Sequence, residues 1–375
     1  MMRKDYEMYY NERLSQCEVC LNKRIDKKSN CGIYEEKPDY VLNSEKECLK
    51  YSSENPLVIN SDNIEFLALL GGIFGFCIGD VLGVPVEFLP REEMKKNKVN
   101  EMRAYGTYDQ YFGAWSDDTS LTLCLIDSLR NGYNINDIAD KFMKFYYRNL
   151  WTPFGEVFDI GNRTALSIEQ MAMGVKPAEC GGNKESDNGN GSLMRVLPLA
   201  YYLKNFEPLK KIEIIKEVSS LTHSHKRSIL ACIFYVEFAI NLLMKKSKSE
   251  AYKNSVIFVK EYCISDYKSE FCYFERILNG KADELKEEEI MSGGYVIDTL
   301  EAVIWSFLNS EDYRSSVFSA VNLGGDTDTT GAITGGLSGI FYGFDNIPDN
   351  WVQILARKKD IYSLLEQFYD SRQEF

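Results

Sequence analysis

Residues 324–344 have the sequence GGDTDTTGAITGGLSGIFYGF, an acidic loop followed by a long uncharged run. In that run Ile333, Leu337, Ile340 and Phe341 recur at the spacing of one helix face. The uncharged part, 329–344, is shorter than the ~18–20 residues that span a bilayer. The sequence therefore predicts a buried core helix whose first turn carries two carboxylates.

A second loop, residues 115–119 with the sequence WSDDT, has the same organisation. Apolar residues follow it at helical spacing, so Asp117 or Asp118 is predicted to begin a helix. Helix capping alone explains one acidic or hydroxyl residue at each start. Two carboxylates in each loop repel one another unless a cation is present, so the pair of loops favours hard divalent cations such as Mg²⁺, Mn²⁺ or Ca²⁺.

The rest of the chain also shows helical periodicity, while period-2 alternation is nowhere sustained. The uncharged run 66–79 predicts another core helix, begun by a capping box of Asp62 and Glu65. Loops rich in Gly, Asn and Asp are predicted at 79–90, 104–118, 181–192, 279–294 and 322–328. An all-α body follows, with further helices at 119–130, 136–148, 212–218, 225–244, 251–264, 296–308, 313–321, 329–343 and 351–369.

Composition excludes several classes of protein. The 375 residues are 45% apolar and 13% aromatic, which is typical of a globular chain and not of a disordered one. A net charge of −13 disfavours general nucleic-acid binding but allows a pocket for one phosphorylated small molecule. The first residues, MMRKDYEMYYNERL, lack an apolar signal region, so we expect a cytoplasmic protein without a membrane partner.

The polar segment 1–60 is predicted to be an extension, and 61–375 the catalytic domain. Four of the ten cysteines lie in the extension. They either form a Cys₄ zinc site or are ordinary reduced thiols, and the wide spacing of the second pair favours thiols. These cysteines are Cys17, Cys20, Cys31 and Cys48.

Four motifs together carry a family resemblance. Residues 79–88 (GDVLGVPVEF) and 189–198 (GNGSLMRVLP) accompany the two acidic loops in a fixed order, and the pair Thr222-His223 agrees with these four motifs. In this combination the chain, over roughly residues 63–370, resembles the ADP-ribosylglycohydrolase family, which includes the dinitrogenase-reductase-activating glycohydrolase. The resemblance implies a compact all-α fold of orthogonally packed helices with two Mg²⁺ or Mn²⁺ ions at the base of an ADP-ribose cleft.

The resemblance also implies site residues. The metal ligands would be Ser116, Asp117, Asp118, Asp326, Asp328 and Thr329, with Ser116 standing where many members have Thr. Glu87, Asp117 and Asp328 would be catalytic carboxylates beside an oxocarbenium-like centre, and metal ions would activate water and orient the ribose. Which carboxylate is the general base stays open; Glu87 is alternatively a gate or an ordinary loop residue.

For substrate binding, the resemblance implies Gly189, Asn190, Gly191, Ser192 and His223. Glycine amides and the Ser192 hydroxyl suit a diphosphate, although a Gly-Asn-Gly sequence is also a common turn. Arg195 would pair with phosphate or support the acidic site. Asp298 and Trp115 would be supporting residues, and a metal site at His223 and His225 is disfavoured because hard cations do not need imidazole.

The implied function is metal-dependent release of ADP-ribose from a mono-ADP-ribosylated acceptor, with arginine-linked protein favoured. Two alternatives remain. The same fold acts on serine-, nucleic-acid- or O-acyl-linked ADP-ribose, or the protein binds ADP-ribose without catalysis. The presence of all four metal-binding aspartates argues against the non-catalytic alternative.

Overall fold

The structure, a computed structural model, describes residues 56–59 and 61–373. Within them the chain forms sixteen α-helices and nine short 3₁₀ helices, and apart from three isolated bridges these residues contain no β-structure. The all-α prediction is confirmed. The α-helices are α1 (Ile64–Gly83), α2 (Arg91–Lys96), α3 (Asp117–Leu129), α4 (Ile135–Arg148), α5 (Asn162–Ala172), α6 (Pro198–Leu203), α7 (Pro208–Ser220), α8 (Lys226–Leu243), α9 (Lys248–Tyr262), α10 (Ile264–Tyr267), α11 (Glu275–Leu278), α12 (Val296–Leu308), α13 (Tyr313–Val321), α14 (Thr327–Tyr342), α15 (Asp349–Ile354) and α16 (Lys358–Gln373).

Helices α1 and α14 form the most extensive helix pair among the described residues. Both are lined with glycine where they meet, so their backbones touch. A Cβ on Gly75 would lie 2.5 Å from the Gly335 carbonyl oxygen, and a Cβ on Gly83 would lie 2.3 Å from Asp328 Cα. This packing brings the C-terminal end of α1 against the first turn of α14. The same close contact involves Gly71, Gly79, Gly331 and Gly339.

Both predicted core helices are confirmed. Among the described residues, Ile64–Val86 is the one helical segment whose length and apolar composition would suffice to cross a membrane. Because 94% of its most apolar 18-residue stretch is buried inside the protein, this segment is a core helix.

The structure corrects the start and end of α1. The N-cap is Asn63, not Asp62: the Asn63 side chain accepts hydrogen bonds from the backbone amides of Glu65 and Phe66 at 3.0 and 3.1 Å. The helix then continues to Gly83, so the loop predicted from residue 79 begins only after α1 ends. Gly79 and Gly83 suggested a loop, but here glycine is required for contact with α14.

The single helix predicted at 351–369 is two helices, α15 and α16. The break has a tertiary cause. The Ala356 amide donates to the Gly113 carbonyl at 3.1 Å, and Arg357 adopts the left-handed region with φ 46°. The Arg357 guanidinium also donates to the Thr152 carbonyl at 3.0 Å. Helices α2, α5, α6, α10 and α11 were not predicted, whereas the other predicted helices occur within a few residues of their expected bounds.

The predicted extension lies mostly outside the described residues, as do Cys17, Cys20, Cys31 and Cys48. The zinc alternative therefore stays a prediction. Of the segment before residue 60, Leu57 exchanges two hydrogen bonds with the Gln353 side chain, at 2.8 and 3.0 Å, and packs on the core.

Candidate active site

The first acidic loop is held by a carboxylate at the end of α1. Ser116 caps α3 by accepting from the Asp118 amide at 3.2 Å. Fully buried Asp80 accepts from the Ser116 amide at 2.9 Å and from the Thr119 hydroxyl at 2.6 Å. Sequence reasoning included Asp80 in a motif but gave it no role. The signal was a lone carboxylate within an apolar helix, which needs such partners when buried.

The second acidic loop is fixed by two glycines. Gly324 and Gly325 have φ values of 75° and 76°, which glycine adopts readily. Gly325 pairs with the segment after α1: its amide donates to Leu89 at 2.9 Å, and its carbonyl accepts from Phe88 at 2.7 Å. This pairing lays Glu87 beside the second loop. Carboxylate oxygens of Glu87, Asp326 and Asp328 consequently lie within 4.8 Å of one another.

The two loops meet in one buried cluster of carboxylates. The hydroxyls of Ser116 and Thr329 both donate to Asp118 Oδ2, at 3.1 and 3.2 Å. Five carboxylates nevertheless each retain a buried oxygen with no hydrogen-bond partner in the described structure. Buried polar atoms are nearly always paired, so these oxygens are available to bind a cationic ligand. They are Glu87 Oε2, Asp117 Oδ2, Asp118 Oδ1, Asp326 Oδ1 and Asp328 Oδ2.

The electrostatics of the cluster favour a cationic ligand. Burial, reinforced by the Asp159 charge, raises the pKa of Glu87 to about 9. Burial and neighbouring carboxylates raise the pKa of Asp117, Asp118 and Asp328 well above the usual range. A divalent cation would offset this repulsion, and carboxylate and hydroxyl oxygens are the ligands that hard cations prefer. The residues present therefore fit a metal of that type.

Asp159 and Tyr108 also belong to this site, and sequence reasoning missed both. The Tyr108 hydroxyl donates to Asp159 Oδ1. Among charged neighbours, Asp159 contributes most to the raised pKa of both Glu87 and Asp117. It lies just before α5 with φ 55°, between the apolar residues Phe158 and Ile160. No pattern marks it, because only the fold brings this segment to the cluster.

The predicted substrate loop lies directly beside the carboxylates. The Asn190 side-chain amide donates to Asp326 Oδ2 and to the Thr299 hydroxyl, both at 2.9 Å. The Asn190 backbone amide donates to the Gly294 carbonyl at 3.0 Å. Thr299 is a further residue that the sequence did not suggest. The neighbouring Asp298, predicted to support the site, has a pKa that burial raises and the nearby Arg276 charge lowers, so its electrostatic partner lies outside the cluster.

Several predicted residues support this loop from inside the protein. Ser192 is fully buried, and its hydroxyl accepts from Ser219 at 3.0 Å and contacts Cys232 at 3.4 Å, so this hydroxyl is engaged in the interior. The His223 ring lies under the loop: a Cβ on Gly191 would be 2.8 Å from His223 Cε1. His223 Nδ1 is paired with the Thr222 hydroxyl at 2.8 Å.

Arg195, Trp115 and His225 have structural contacts. The fully buried Arg195 donates to the Gly191 carbonyl and, at 2.7 Å, to the Thr222 hydroxyl, so its hydrogen bonds support the loop and not the carboxylates. Trp115 Nε1 donates to the Trp151 carbonyl at 3.1 Å. His225 caps α8 by accepting from the Arg227 amide at 3.1 Å.

Comparisons with known proteins show which family the chain belongs to. The ADP-ribosylglycohydrolase family profile matches residues 64–374. The chain is 32% identical over 304 residues to an "ADP-ribosylarginine hydrolase Tri1" of Serratia proteamaculans, covering 80% of this chain and 78% of that one. It is 29% identical over 299 residues to the "ADP-ribosyl-[dinitrogen reductase] glycohydrolase" of Rhodospirillum rubrum, covering 77% and 90%. A solved structure titled "ADP-ribosylglycohydrolase-related protein complex" superposes with a TM-score of 0.69 and 28% identity, covering 82% of this chain and 98% of that one.

The chain therefore belongs to the ADP-ribosylglycohydrolase family. It is a hydrolase that acts on ADP-ribosylated substrates. The resemblance inferred from the sequence motifs is confirmed.

Proposed function

We propose that this enzyme hydrolyses the bond between ribose C1 and a guanidino nitrogen of ADP-ribosylated arginine in a protein, and releases ADP-ribose in the cytosol. The observation that carries the proposal is the convergence, beside the Asn190 loop, of five carboxylates that each have a buried oxygen without a hydrogen-bond partner. The names of relatives that act on ADP-ribosylarginine and on ADP-ribosyl-dinitrogen reductase support the arginine linkage.

Two divalent cations, Mg²⁺ or Mn²⁺, are proposed as the cofactors. The ligands would be Asp117, Asp118, Asp326 and Asp328 with the hydroxyls of Ser116 and Thr329. Support comes from the partnerless carboxylate oxygens and from the two hydroxyls that lie against Asp118. Cations of this type supply Lewis-acid stabilisation and lower the pKa of water.

The catalytic carboxylates are proposed to be Glu87, Asp117 and Asp328. As the C1–N bond breaks, positive charge develops at ribose C1 and O4, and nearby negative groups stabilise it. The water oxygen bonds to C1, and the departing nitrogen acquires a proton in exchange. Glu87 Oε2, which has no hydrogen-bond partner, is suited to accept the proton from water, because cations at the neighbouring aspartates would keep Glu87 ionised.

The segment Gly189-Asn190-Gly191-Ser192, which we call the glycine loop, is proposed to bind the diphosphate of ADP-ribose. Gly189, Gly191 and Ser192 would contribute backbone amides, which glycines allow a phosphate to approach closely. Asn190 would set the distance between diphosphate and cluster, since its side chain bonds Asp326. His223 would act by holding Gly191 in position.

The test is release of ADP-ribose from an arginine-ADP-ribosylated protein by the full chain, with Mg²⁺, with Mn²⁺ and with EDTA. Serine-, nucleic-acid- and O-acyl-linked substrates are assayed in parallel. Metal-dependent release from the arginine linkage is expected. Release only from another linkage would overturn the acceptor assignment, and binding of ADP-ribose without release from any substrate would identify a non-catalytic binder.

A further inference from the structure

Three aromatic rings that contact one another in series belong to residues next to, or hydrogen-bonded to, Glu87 and Asp159. The Phe88 and Tyr108 ring centroids are 6.4 Å apart, and those of Tyr108 and Phe158 are 5.3 Å apart. We call Phe88, Tyr108 and Phe158 the aromatic rim. The hydroxyl of Tyr108, the middle member, donates a hydrogen bond to Asp159, so the rim contacts the cluster through that carboxylate.

Phe88 is unusual in two independent respects. Its side chain is 66% exposed, and its φ of 64° lies in the left-handed region that bulky residues rarely adopt. The conformation is held by backbone pairing with Gly325 immediately before Asp326. Residues with a strained backbone and an exposed apolar side chain cluster at ligand sites, because packing within the protein explains neither the strain nor the exposure, whereas contact with a ligand explains both.

The rim and the glycine loop approach the cluster at different residues. The loop bonds Asp326 through Asn190, whereas the rim adjoins Glu87 in sequence and contacts Asp159 through Tyr108. A substrate whose diphosphate lies on the loop therefore leaves the rim to one of its two remaining parts, the adenosine or the acceptor.

Charge favours a cationic acceptor here. Aromatic faces attract guanidinium groups, and the carboxylates of Glu87 and Asp159 adjoin the rim. We propose that the aromatic rim binds the acceptor half of the substrate by stacking the positively charged, ADP-ribosylated guanidinium on Phe88. This inference rests on the proposed arginine linkage, since a serine linkage brings no cation to the rim.

The experiment compares Phe88→Ala, Phe88→Leu and Phe88→Tyr in the full chain. The substrate is an arginine-ADP-ribosylated peptide, and free ADP-ribose binding is measured by calorimetry. Loss of the ring in the Ala and Leu variants is expected to raise KM about 3- to 30-fold, with kcat and the ADP-ribose Kd within about twofold of wild type. Phe88→Tyr keeps the aromatic face and should retain the wild-type KM.

Tyr147→Ala is the matched control, because Tyr147 is an aromatic residue, 53% exposed, on α4. Its kinetics should equal those of the wild type. An unchanged KM in both Phe88→Ala and Phe88→Leu would overturn the inference, as would an equal rise in the Kd of free ADP-ribose. If the wild type itself releases nothing from arginine-linked peptide, the proposed function fails first, before any Phe88 variant is compared.

Discussion

The Thr329 hydroxyl donates to Asp118 Oδ2 across 3.2 Å, although the two residues are 211 positions apart in sequence. Ser116 donates to the same oxygen from the other loop. Hydroxyls from both acidic loops thus fix one carboxylate and leave its second oxygen, Oδ1, buried without a partner. The site is organised by direct contacts between the first turns of α3 and α14, so changes in either turn should affect both.

Asp117→Asn and Asp328→Asn should each lower kcat/KM more than about 100-fold, beyond the ~10–100-fold typical of residues outside a metal's ligand shell. Each change removes one charge and almost no volume, so the thermal unfolding midpoint in EDTA should not fall. Activity is measured as ADP-ribose release, and folding by circular dichroism.

The control for both variants is Asp140→Asn, since Asp140 is 43% exposed and paired with Lys144 on α4, away from the cluster. It should behave as wild type. Near-normal turnover in either cluster variant would disprove a catalytic metal centre at these carboxylates.

Divalent cations should stabilise the protein in the absence of substrate. At about 100 times its Kd, a cation bound only to the folded state adds about 2.7 kcal/mol to the free energy of unfolding. We expect Mg²⁺ or Mn²⁺ to raise the melting temperature by about 5 °C over NaCl of equal ionic strength. The gain should vanish in the double variant Asp118→Asn/Asp328→Asn; a gain of the same size in that variant would place the cation elsewhere.

Gly75→Ala should weaken the contact between α1 and α14. The new Cβ would lie 2.5 Å from the Gly335 carbonyl oxygen, so the helices must separate. We expect the free energy of unfolding in urea to fall by about 1–3 kcal/mol. In the control Gly161→Ala, the nearest atom would be Thr164 Oγ1 at 4.0 Å, and the change should stay within about 0.5 kcal/mol. Equal stability of the two variants would contradict the close packing.

His223 should make stability depend on pH below neutrality. Burial, with the charges of Arg195 and Arg163, lowers the pKa of His223 from 6.5 to about 3. Between these values the unfolded chain binds a proton that the folded chain does not, so stability falls as pH falls through 6.5.

We expect the free energy of unfolding of the wild type, relative to that of His223→Gln, to decrease by about 2 kcal/mol from pH ~7.5 to pH ~5 in EDTA. The cluster carboxylates are common to both proteins, so their opposite pH effect cancels in the difference. Parallel pH profiles for the two proteins would show that His223 is not held neutral.

Apolar periodicity predicted the core helices well, because a buried helix face leaves a repeated pattern in the sequence. It failed at Gly79–Gly83, where glycines that usually end a helix instead permit backbone contact with α14. It also failed at Arg357, where contacts with the distant Gly113 and Thr152 segments interrupt a continuous pattern. In both places a contact with a segment distant in sequence determined where the helix ends, and the spacing of residues does not reveal such contacts.

The sequence by itself determined the residue types of the site. Each acidic loop places two carboxylates and hydroxyls at the start of a helix. Because the two carboxylates of a loop are close in sequence, their mutual repulsion and the need for a cation can be inferred from that loop alone. Their convergence was not visible. Asp159 carries no distinguishing pattern, and the loop hydroxyl of Ser192 proved to be buried. Only tertiary structure decided these points, because burial, unpartnered oxygens and the mutual repulsion of carboxylates arise when distant segments are packed together.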